Sequence, residues 1–434
     1  MSKFLNIFLE FKLTILWLLI ITIGGMFGGF IIASVLCMPI LISDKPLFKI
    51  ETLFGLFIVI FFLGDNFEGV FSFTQNLRFV ILAISLFVLL KFELFQSNVA
   101  KFILPFSIVI TLITIAVSPL GIQAASRGLS YFLVALVMFK SVQLLVAHDA
   151  KRFYDLIITV LLLYFSVTLL LLFVPFLGDV YINERFNGLM GNPNGLGFVA
   201  MFSYAVIDII RRKNQTSFSP HFFTAFKIVL IGLVILTASR TALFSVLIYE
   251  ITLRLLKYKF LLAVVLLAMI YIYGISATLS TEAIVESLGL SEYLRIDSLD
   301  DASGRTEVWA VALDEIQNQP WFGKGMLYDN YFINDFADRY IGEPRARHWY
   351  GIWNSYLSLL LNVGIIGLLG FAFFWYKMYA LSQMRIVRVA FLMMCLFSAV
   401  SESWMAASMN AYMPMVFLCW ALQIYNPKPR EISL

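Results

Sequence analysis

The chain has 434 residues, of which 61% are apolar and 13% are charged, and its formal net charge is +4. Soluble domains are about half apolar and about a quarter charged, so this composition excludes a soluble protein. The sequence has no G-x-x-x-x-G-K-[ST] motif and no G-x-G-x-x-G motif after a strand, and we predict neither a nucleotide nor a nucleic-acid partner.

Long apolar blocks follow one another along most of the chain. They include residues 53–64, 79–90, 102–117, 156–174, 198–210, 241–256, 260–273 and 356–375. The blocks are continuously apolar, whereas the strands of a membrane barrel alternate apolar and polar residues. A helix needs about 20 residues to cross the hydrocarbon, so several blocks extend into their flanks, and we predict an all-α integral membrane protein with about 12–14 transmembrane helices.

The N-terminal block, residues 13–42, does not fit one span or two. It has no cleavage site of the kind that follows a signal peptide. As one helix it would reach about 45 Å, which is too long for one untilted span and too short for two. The glycines of Gly-Gly-Met-Phe-Gly-Gly at 24–29 predict a close-packing face, a kink or the bend of a hairpin. Counting helices backwards places Lys3 and Lys12 on the outer side, against the rule that short basic segments stay in the cytoplasm.

The distribution of charge predicts the sides of the membrane. Residues 280–351 contain no spanning block and carry 13 acidic against 6 basic residues, a net −7, so the rest of the chain sums to +11. We predict that this segment is a large extracytoplasmic loop with short helices, between N-terminal transmembrane helices in 1–279, with an outer loop at 179–195, and C-terminal ones in 352–434. The predicted cytoplasmic clusters are Lys151/Arg152, Arg211/Arg212/Lys213, Arg254/Lys257/Lys259, Lys377/Arg385/Arg388 and Lys428/Arg430.

The few cysteines and histidines do not predict a metal site. Cys37, Cys395 and Cys419 lie in apolar runs without the spacing of metal ligands, which predicts buried thiols. No Asp-x-Asp or paired carboxylate indicates a divalent ion. We therefore predict no metal and no cofactor.

The first segment that predicts chemistry is the outer loop around Arg185. Four glycines and a proline follow Arg185 within residues 188–197, so the backbone amides of this loop can approach a ligand closely. The helix that follows offers its positive dipole end to an anion, and Asn192 and Asn194 can add contacts to phosphate or sugar. The alternative is a tight turn with Asn194 as the helix cap.

Two more arginines lie at predicted outer helix ends. Arg240 lies between two apolar runs in Leu-Thr-Ala-Ser-Arg-Thr-Ala-Leu at 236–243, where its guanidinium suits bidentate phosphate recognition. The alternative is a helix-end anchor. Arg305 opens an amphipathic stretch with Val308, Ala312 and Ile316 at helical spacing, which predicts an outer helix lying on the membrane domain. A cation in a first helical turn indicates a nearby anion, which Glu307 or a ligand supplies.

The last segment precedes the next membrane helix and reads Glu-Pro-Arg-Ala-Arg-His-Trp-Tyr-Gly-Ile-Trp-Asn-Ser-Tyr at 343–356. Its aromatic residues are typical of an interfacial belt. They are also suited to stacking on sugars, while His348 exchanges a proton. The further candidate binding residues here are Arg345, Arg347, Asn354 and Tyr356. Several cations with few bases on one face suit the departure of a pyrophosphate without a metal.

Four motifs in this order resemble the O-antigen ligase and O-antigen polymerase superfamily, which has the C-type glycosyltransferase fold and moves glycans off undecaprenyl pyrophosphate. The similarity covers about residues 185–375. It rests on Arg-Phe-Asn-Gly at 185–188 with Gly-Asn-Pro-Asn-Gly-Leu-Gly at 191–197, Thr-Ala-Ser-Arg-Thr-Ala-Leu at 237–243, Ser-Gly-Arg-Thr-Glu-Val-Trp at 303–309 with Gln-Pro-Trp-Phe-Gly-Lys-Gly at 319–325, and Trp-Asn-Ser-Tyr-Leu at 353–357 with Asn-Val-Gly-Ile-Ile-Gly-Leu at 362–368.

The resemblance implies that Arg240 and Arg305 are the arginines that the family requires, and that Arg185 matches a basic position of the polymerases. Ligases carry a histidine directly before the asparagine of the last motif, where this chain has Trp353. The base is then His348, or a carboxylate such as Glu343 or Glu402. This departure favours a polymerase over a ligase.

The sequence thus predicts a metal-independent polysaccharide polymerase of the bacterial inner membrane with a periplasmic active site. Its predicted partners are an undecaprenyl-pyrophosphate-linked glycan, the bilayer and a chain-length regulator. The first alternative is an O-antigen ligase that transfers glycan to a lipid A core. A second is a transporter of lipid-linked glycans, which needs ionisable groups in the membrane such as Lys140 and Glu402.

Overall fold

The computed structural model describes residues 2–65, 69–96, 98–174, 180–182, 184–256, 258, 305–338, 351–407 and 409–427, with the backbone alone at 2–5, 96, 305, 306 and 337. The described chain is almost entirely helical, which confirms the predicted all-α membrane fold. The elements are α1 (Ser2–Glu10), α2 (Lys12–Cys37), α3 (Pro39–Ile42), α4 (Pro46–Leu63), α5 (Thr74–Leu89), α6 (Ala100–Val117), α7 (Ile122–Leu170), β1 (Tyr181–Ile182), β2 (Arg185–Phe186), α8 (Pro193–Lys213), α9 (Pro220–Leu236), α10 (Arg240–Leu255), α11 (Arg305–Asn318), α12 (Tyr328–Asp338), α13 (Ser355–Leu381), α14 (Arg385–Ser398) and α15 (Tyr412–Ile424).

Seven stretches of the described chain are long and apolar enough to cross a membrane. One of them, α7, leaves helical geometry at Asp149 (φ −152°, ψ 93°), so it consists of two legs. The apolar helices α9 and α15 are shorter. The predicted total of about 12–14 helices stays a prediction, because residues 259–304 and 339–350 lie outside the described part of the chain.

The described residues of the predicted cytoplasmic clusters gather at one end of the bundle, here called the basic end and defined by residues 149–155, 213–219 and 382–384, whereas Lys257, Lys259, Lys428 and Arg430 lie outside the described residues. Thr216 Oγ1 donates to Asp155 Oδ1 at 2.6 Å, which joins the first two of these segments. Lys213 Nζ donates to the carbonyl of Tyr425 at 3.1 Å, and Gln383 Nε2 donates to that of Ile424 at 3.2 Å. Helices α8, α10 and α15 lead from there to the opposite end, called the site end and defined by residues 184–192, 237–241 and 399–407.

The N-terminal block folds as a hairpin. Gly29 has φ 67° and ψ −164° inside α2, and a Cβ at Gly24 would lie 2.3 Å from Leu36 Cδ1. On a straight helix these two residues would be about 18 Å apart, so the chain reverses at Gly29. Arg152 Nη1 meets Glu10 Oε1 at 2.6 Å, which places the start of the hairpin at the basic end. Of the three alternatives the hairpin is therefore observed, and it keeps Lys12 with the other basic clusters.

Two of the sequence motifs, at 319–325 and 362–368, are joined by backbone hydrogen bonds. Residues 320–325 and 361–366 pair through four backbone hydrogen bonds of 2.7–3.2 Å. Gly364 has φ 63° and divides α13 into residues 355–363 and 365–381. A Cβ at Gly364 would lie 2.4 Å from the backbone of Trp321, so only glycine allows this approach. The glycines of these motifs therefore have a structural reason: they allow residues 320–325 of the predicted large loop to pack closely on α13.

The amphipathic helix predicted after Arg305 is α11. Val308 and Ala312 are fully buried in a small cluster with Ile333 and Ile352, and Ile316 packs against it. Trp309 Nε1 donates to the carbonyl of Ile352 at 2.8 Å. The three cysteines are buried in the main core, as predicted.

Candidate functional site

Arg185 connects three segments of the site end. It lies half-buried on β2, in a two-stranded hairpin in which Ile182 pairs with Arg185. Its Nε donates to the carbonyl of Thr237 at 2.8 Å, and its Nη2 donates to Asn194 Oδ1 at 2.5 Å. The outer loop, the start of α8 and the turn before α10 are therefore held together by one guanidinium.

Asn192, and not Asn194, caps α8. Asn192 is extended (φ −151°, ψ 154°), as an N-cap requires, and its Oδ1 accepts from the amide of Gly195 at 2.7 Å. Pro193 follows at the first helical position, where its missing N–H has no cost. Asn194 is then in the first turn, and its Nδ2 donates to Glu402 Oε1 at 2.8 Å. Asn194 therefore bridges Arg185 and Glu402.

Arg240 is the first residue of α10 and is half-buried, with its Nη1 inside the protein. The turn before it packs against α8, because a Cβ at Gly197 would lie 2.7 Å from Ser239 Cβ. The hydroxyls of Thr241 and Ser401 are 2.5 Å apart. Since Arg185 binds the carbonyl of Thr237, three residues before Arg240, the segments that carry the two arginines are in contact.

Glu402 and Asn354 belong to one hydrogen-bonded network. Ser355 Oγ donates to the carbonyl of Glu402 at 2.5 Å, and the amide of Asn354 donates to Ser403 Oγ at 3.0 Å. The Oδ1 of Asn354 accepts from two backbone amides, at 3.0 and 3.1 Å, and so caps α13. Glu402 lies between α14 and α15 at the site end rather than within a membrane helix. The last motif therefore meets the loop of Arg185 through Glu402.

The structure also describes Tyr356 and Trp353 of the last motif. Tyr356 is partly buried, and its hydroxyl donates to the carbonyl of Leu396 at 2.8 Å. Trp353 precedes the cap with φ 51°, in the left-handed region. A Cβ at Gly351 would lie 2.7 Å from the ring of Trp353, so glycine leaves room for that ring.

The candidate residues of the large loop are only partly placed. Arg305 is the first residue of α11, and the structure describes only its backbone. Arg345, Arg347, His348 and Glu343 also lie outside the described residues. Their roles stay predictions, as do the roles of the residues placed above.

The structure adds Asp65, which follows α4 and was not a candidate. Asn192 Nδ2 donates to Asp65 Oδ2 at 3.2 Å. Burial, and secondly the negative charge of Glu402, raise the pKa of Asp65 to about 7, although Arg78 acts against them. A carboxyl group that titrates near neutral pH beside two candidate residues is itself a candidate for proton transfer.

Asp65 also lines a cleft with Arg78, Arg127 and Asp329. These four residues lie outside the sequence motifs described above, and helix packing brings them together. Arg78 and Arg127 lie near the ends of apolar runs. Ionisable groups so close to hydrocarbon are costly and tend to be functional, and this signal would have found them.

Comparison with known proteins agrees with the motifs. The family model described as O-antigen ligase matches residues 225–372. No curated protein sequence matches the chain. The match confirms, for these residues, the predicted similarity to the O-antigen ligase and polymerase superfamily, and it supports a multi-pass membrane enzyme of the glycan ligase or polymerase type.

Proposed function

We propose that this chain, whose residues 225–372 match the O-antigen ligase family, is a polysaccharide polymerase. It transfers a growing glycan from undecaprenyl pyrophosphate to an incoming lipid-linked repeat unit. Its membrane is the bacterial inner membrane, and its active site faces the periplasm. A membrane protein that regulates chain length is its expected partner.

One observation carries the proposal: Arg185 binds the turn that leads into Arg240. Two arginines from different motifs are thereby carried by segments that contact each other, at the end of the bundle opposite the described basic clusters. Guanidinium groups recognise phosphates through paired hydrogen bonds and are always charged. They therefore suit a reaction in which negative charge develops on a departing pyrophosphate.

In the proposed reaction an acceptor hydroxyl attacks the anomeric carbon of the donor sugar. The bond from that carbon to the phosphate oxygen breaks, and its electron pair leaves with the pyrophosphate of the carrier. Arg185 and Arg240 stabilise this charge, and we expect Arg305 of the large loop to join them. The phosphate linkage supplies the energy, so the transfer needs neither a nucleotide nor a metal.

Trp353 supports a polymerase over a ligase. The ligases that this chain resembles have a histidine directly before the asparagine of the last motif, where Asn354 caps α13. An indole has no basic nitrogen at neutral pH and cannot take a proton from an acceptor hydroxyl. The base of the proposed reaction must therefore come from elsewhere in the chain.

The test is a reaction of the purified protein with a synthetic undecaprenyl pyrophosphate repeat unit in EDTA, analysed as a ladder on a gel. We expect a ladder from the wild type, and none from Arg240→Ala or Arg185→Ala. The matched control is Arg254→Ala, because the Arg254 side chain is 80% exposed at the basic half of α10. It should leave the ladder unchanged.

Two results would refute the proposal, and each would favour another function. Product that appears only after addition of a lipid A core acceptor, without longer carrier-linked chains, would identify a ligase. Binding of the carrier without chemical turnover under either condition would favour a transporter. Of the two ionisable residues considered for a transporter, Glu402 lies at the site end outside the helices, so only Lys140 remains within the membrane helices.

A further inference from the structure

A cleft at the site end has no role in the reaction described so far. Its cavity volume is about 170 Å³, and it is lined by the charged residues Asp65, Arg78, Arg127 and Asp329, together with Asn330. Sites for whole small molecules are commonly of about 300–1,000 Å³, so this cleft suits a smaller group, such as one sugar residue of a longer glycan.

Two residues of the cleft, Arg78 and Asp329, are held by hydrogen bonds within the fold. Arg78 lies in α5 and is 8% exposed. Its Nε donates to the carbonyl of Gln75 at 3.0 Å, and its Nη1 donates to the carbonyl of Met409. The amide of Asp329 donates to Asn362 Oδ1 at 2.9 Å. Groups fixed in this way lose little entropy when a ligand arrives.

When both carboxyl groups of the cleft are ionised, as they must be for Asp65 to act as a base, their two charges balance those of the two guanidinium groups. A polyanion such as pyrophosphate would meet both carboxyl groups, which repel it. A sugar hydroxyl both donates and accepts hydrogen bonds, and guanidinium, carboxyl and amide groups together offer both kinds of partner. The cleft therefore suits a neutral, hydroxyl-rich ligand.

Asp65 lies where this cleft meets the first turn of α8. On one side it lines the cleft with Arg78. On the other it accepts a hydrogen bond from Asn192, which is two residues before the Asn194 that binds Arg185. A Cβ at Gly195 would lie 2.5 Å from Asp65 Oδ2, so the carboxyl group is in contact with the first turn of α8.

We propose that the cleft binds the acceptor sugar and that Asp65 is the catalytic base that takes the proton from its attacking hydroxyl. This inference rests on the polymerase function proposed above. The O–H bond of the acceptor breaks and its proton moves to the carboxylate of Asp65. The hydroxyl oxygen bonds to the anomeric carbon of the donor, and the bond from that carbon to the phosphate oxygen breaks, so that the pyrophosphate leaves with the electron pair beside Arg185 and Arg240.

The surroundings of Asp65 set the pH at which it acts. The charged side chains that act on its pKa are Arg78 from α5 and Glu402 from the segment before α15, and the phenols of Tyr164 and Tyr412 are the other titratable groups near it. Burial and Glu402 raise its pKa to about 7. The basic form therefore exists above that value, and the transfer rate should rise with pH through about 7.

The first experiment compares Asp65→Asn with the wild type in the ladder assay, from pH 5 to 9. A general base contributes about 10²- to 10⁴-fold, so the variant should lose at least about 10²-fold in rate, together with the rise through neutral pH. The control is Asp314→Asn, because Asp314 is exposed on α11 and belongs to no part of the site. A wild-type rate and pH profile in Asp65→Asn would refute the inference.

The wild type and Asp65→Asn together distinguish a failure of the proposed function from a failure of the inference about Asp65. Asp65→Asn should still bind undecaprenyl pyrophosphate with wild-type affinity in detergent, which shows that the variant is folded. If the wild type forms no ladder, the proposed function fails. If the wild type forms a ladder and Asp65→Asn does so equally well, the inference alone fails.

A second experiment moves the pKa of the base in both directions. Removal of a negative neighbour by Glu402→Gln should shift the rise of the wild-type profile to lower pH, and removal of a positive neighbour by Arg78→Gln should shift it to higher pH. Shifts in the same direction, or none, would show that Asp65 does not control the rate.

A third experiment tests the sugar site. Asn330 is exposed in the cleft, and Asn330→Ala should raise the KM for the acceptor by about tenfold, the value of one hydrogen bond, with kcat nearly unchanged. An unchanged KM would show that the acceptor does not bind in this cleft.

Discussion

The bridge from Arg185 through Asn194 to Glu402 makes a prediction that can be tested by exchange of its groups. Asn194 accepts a hydrogen bond from Arg185 with its oxygen and donates one to Glu402 with its nitrogen, at 2.8 Å. Asn194→Asp keeps the acceptor and removes the donor. Two carboxylates then meet where a hydrogen bond had been.

The expected cost follows from the distance between the charges. Two unit charges about 4 Å apart repel by about 4 kcal/mol at an effective dielectric constant of about 20. Attraction between the new carboxylate and Arg185 offsets part of this. We expect a net cost of about 2 kcal/mol, which corresponds to a rate about 30-fold lower. The loss should diminish at acidic pH, because a proton shared between the two carboxyl groups relieves the repulsion.

The assay is the initial rate of carrier-linked polymer formation by the purified variants. In Asn194→Asp/Glu402→Gln the donor and the acceptor have changed places, so the bridge forms again with the same net charge. The double variant should recover to within about threefold of the wild type, an interaction energy of at least 1 kcal/mol. The control is Asn214→Asp, the same chemical change at an exposed residue of the basic end. A double variant no more active than Asn194→Asp would refute the bridge.

Two further variants test how the site is held. Arg185→Lys keeps the charge, but one ammonium group does not reproduce the fork that binds both Thr237 and Asn194, so the loss of one bond should lower the polymer-forming rate by about tenfold; an unchanged rate would contradict this. Gly364→Ala forces a side chain into a left-handed backbone against Trp321 and should cost at least about 1–3 kcal/mol, measured as a lower unfolding temperature in detergent. The matched control is Gly232→Ala, where a Cβ has open space. Equal unfolding temperatures for the two variants would contradict the close packing of residues 320–325 on α13.

The sequence predicted the fold class because apolar blocks and basic clusters are local features. The described residues of the basic clusters gather at one end, and Arg185 contacts the turn before Arg240. The N-terminal block was ambiguous because its length and glycines fit three conformations equally well. Only the contact between Gly24 and Leu36 selects the hairpin.

The cleft beside Asp65 was not predicted, for a physical reason. Arg78 and Met409 are 331 residues apart in the chain and are brought together by packing alone. No spacing in the sequence encodes such a contact. The cap of α8 was assigned to Asn194 in one alternative because both asparagines suit that role, and the extended backbone of Asn192 decides between them.

The backbone at Trp353 bears on how a ligase and a polymerase differ. Its left-handed φ of 51° is uncommon for a bulky side chain, whereas histidine is among the residues enriched in that region. A histidine at 353 would thus inherit a conformation already present, directly before the cap of α13. The histidine of the ligases can therefore be introduced here by one side-chain exchange on an unaltered backbone, and Trp353→His is the place to begin such engineering.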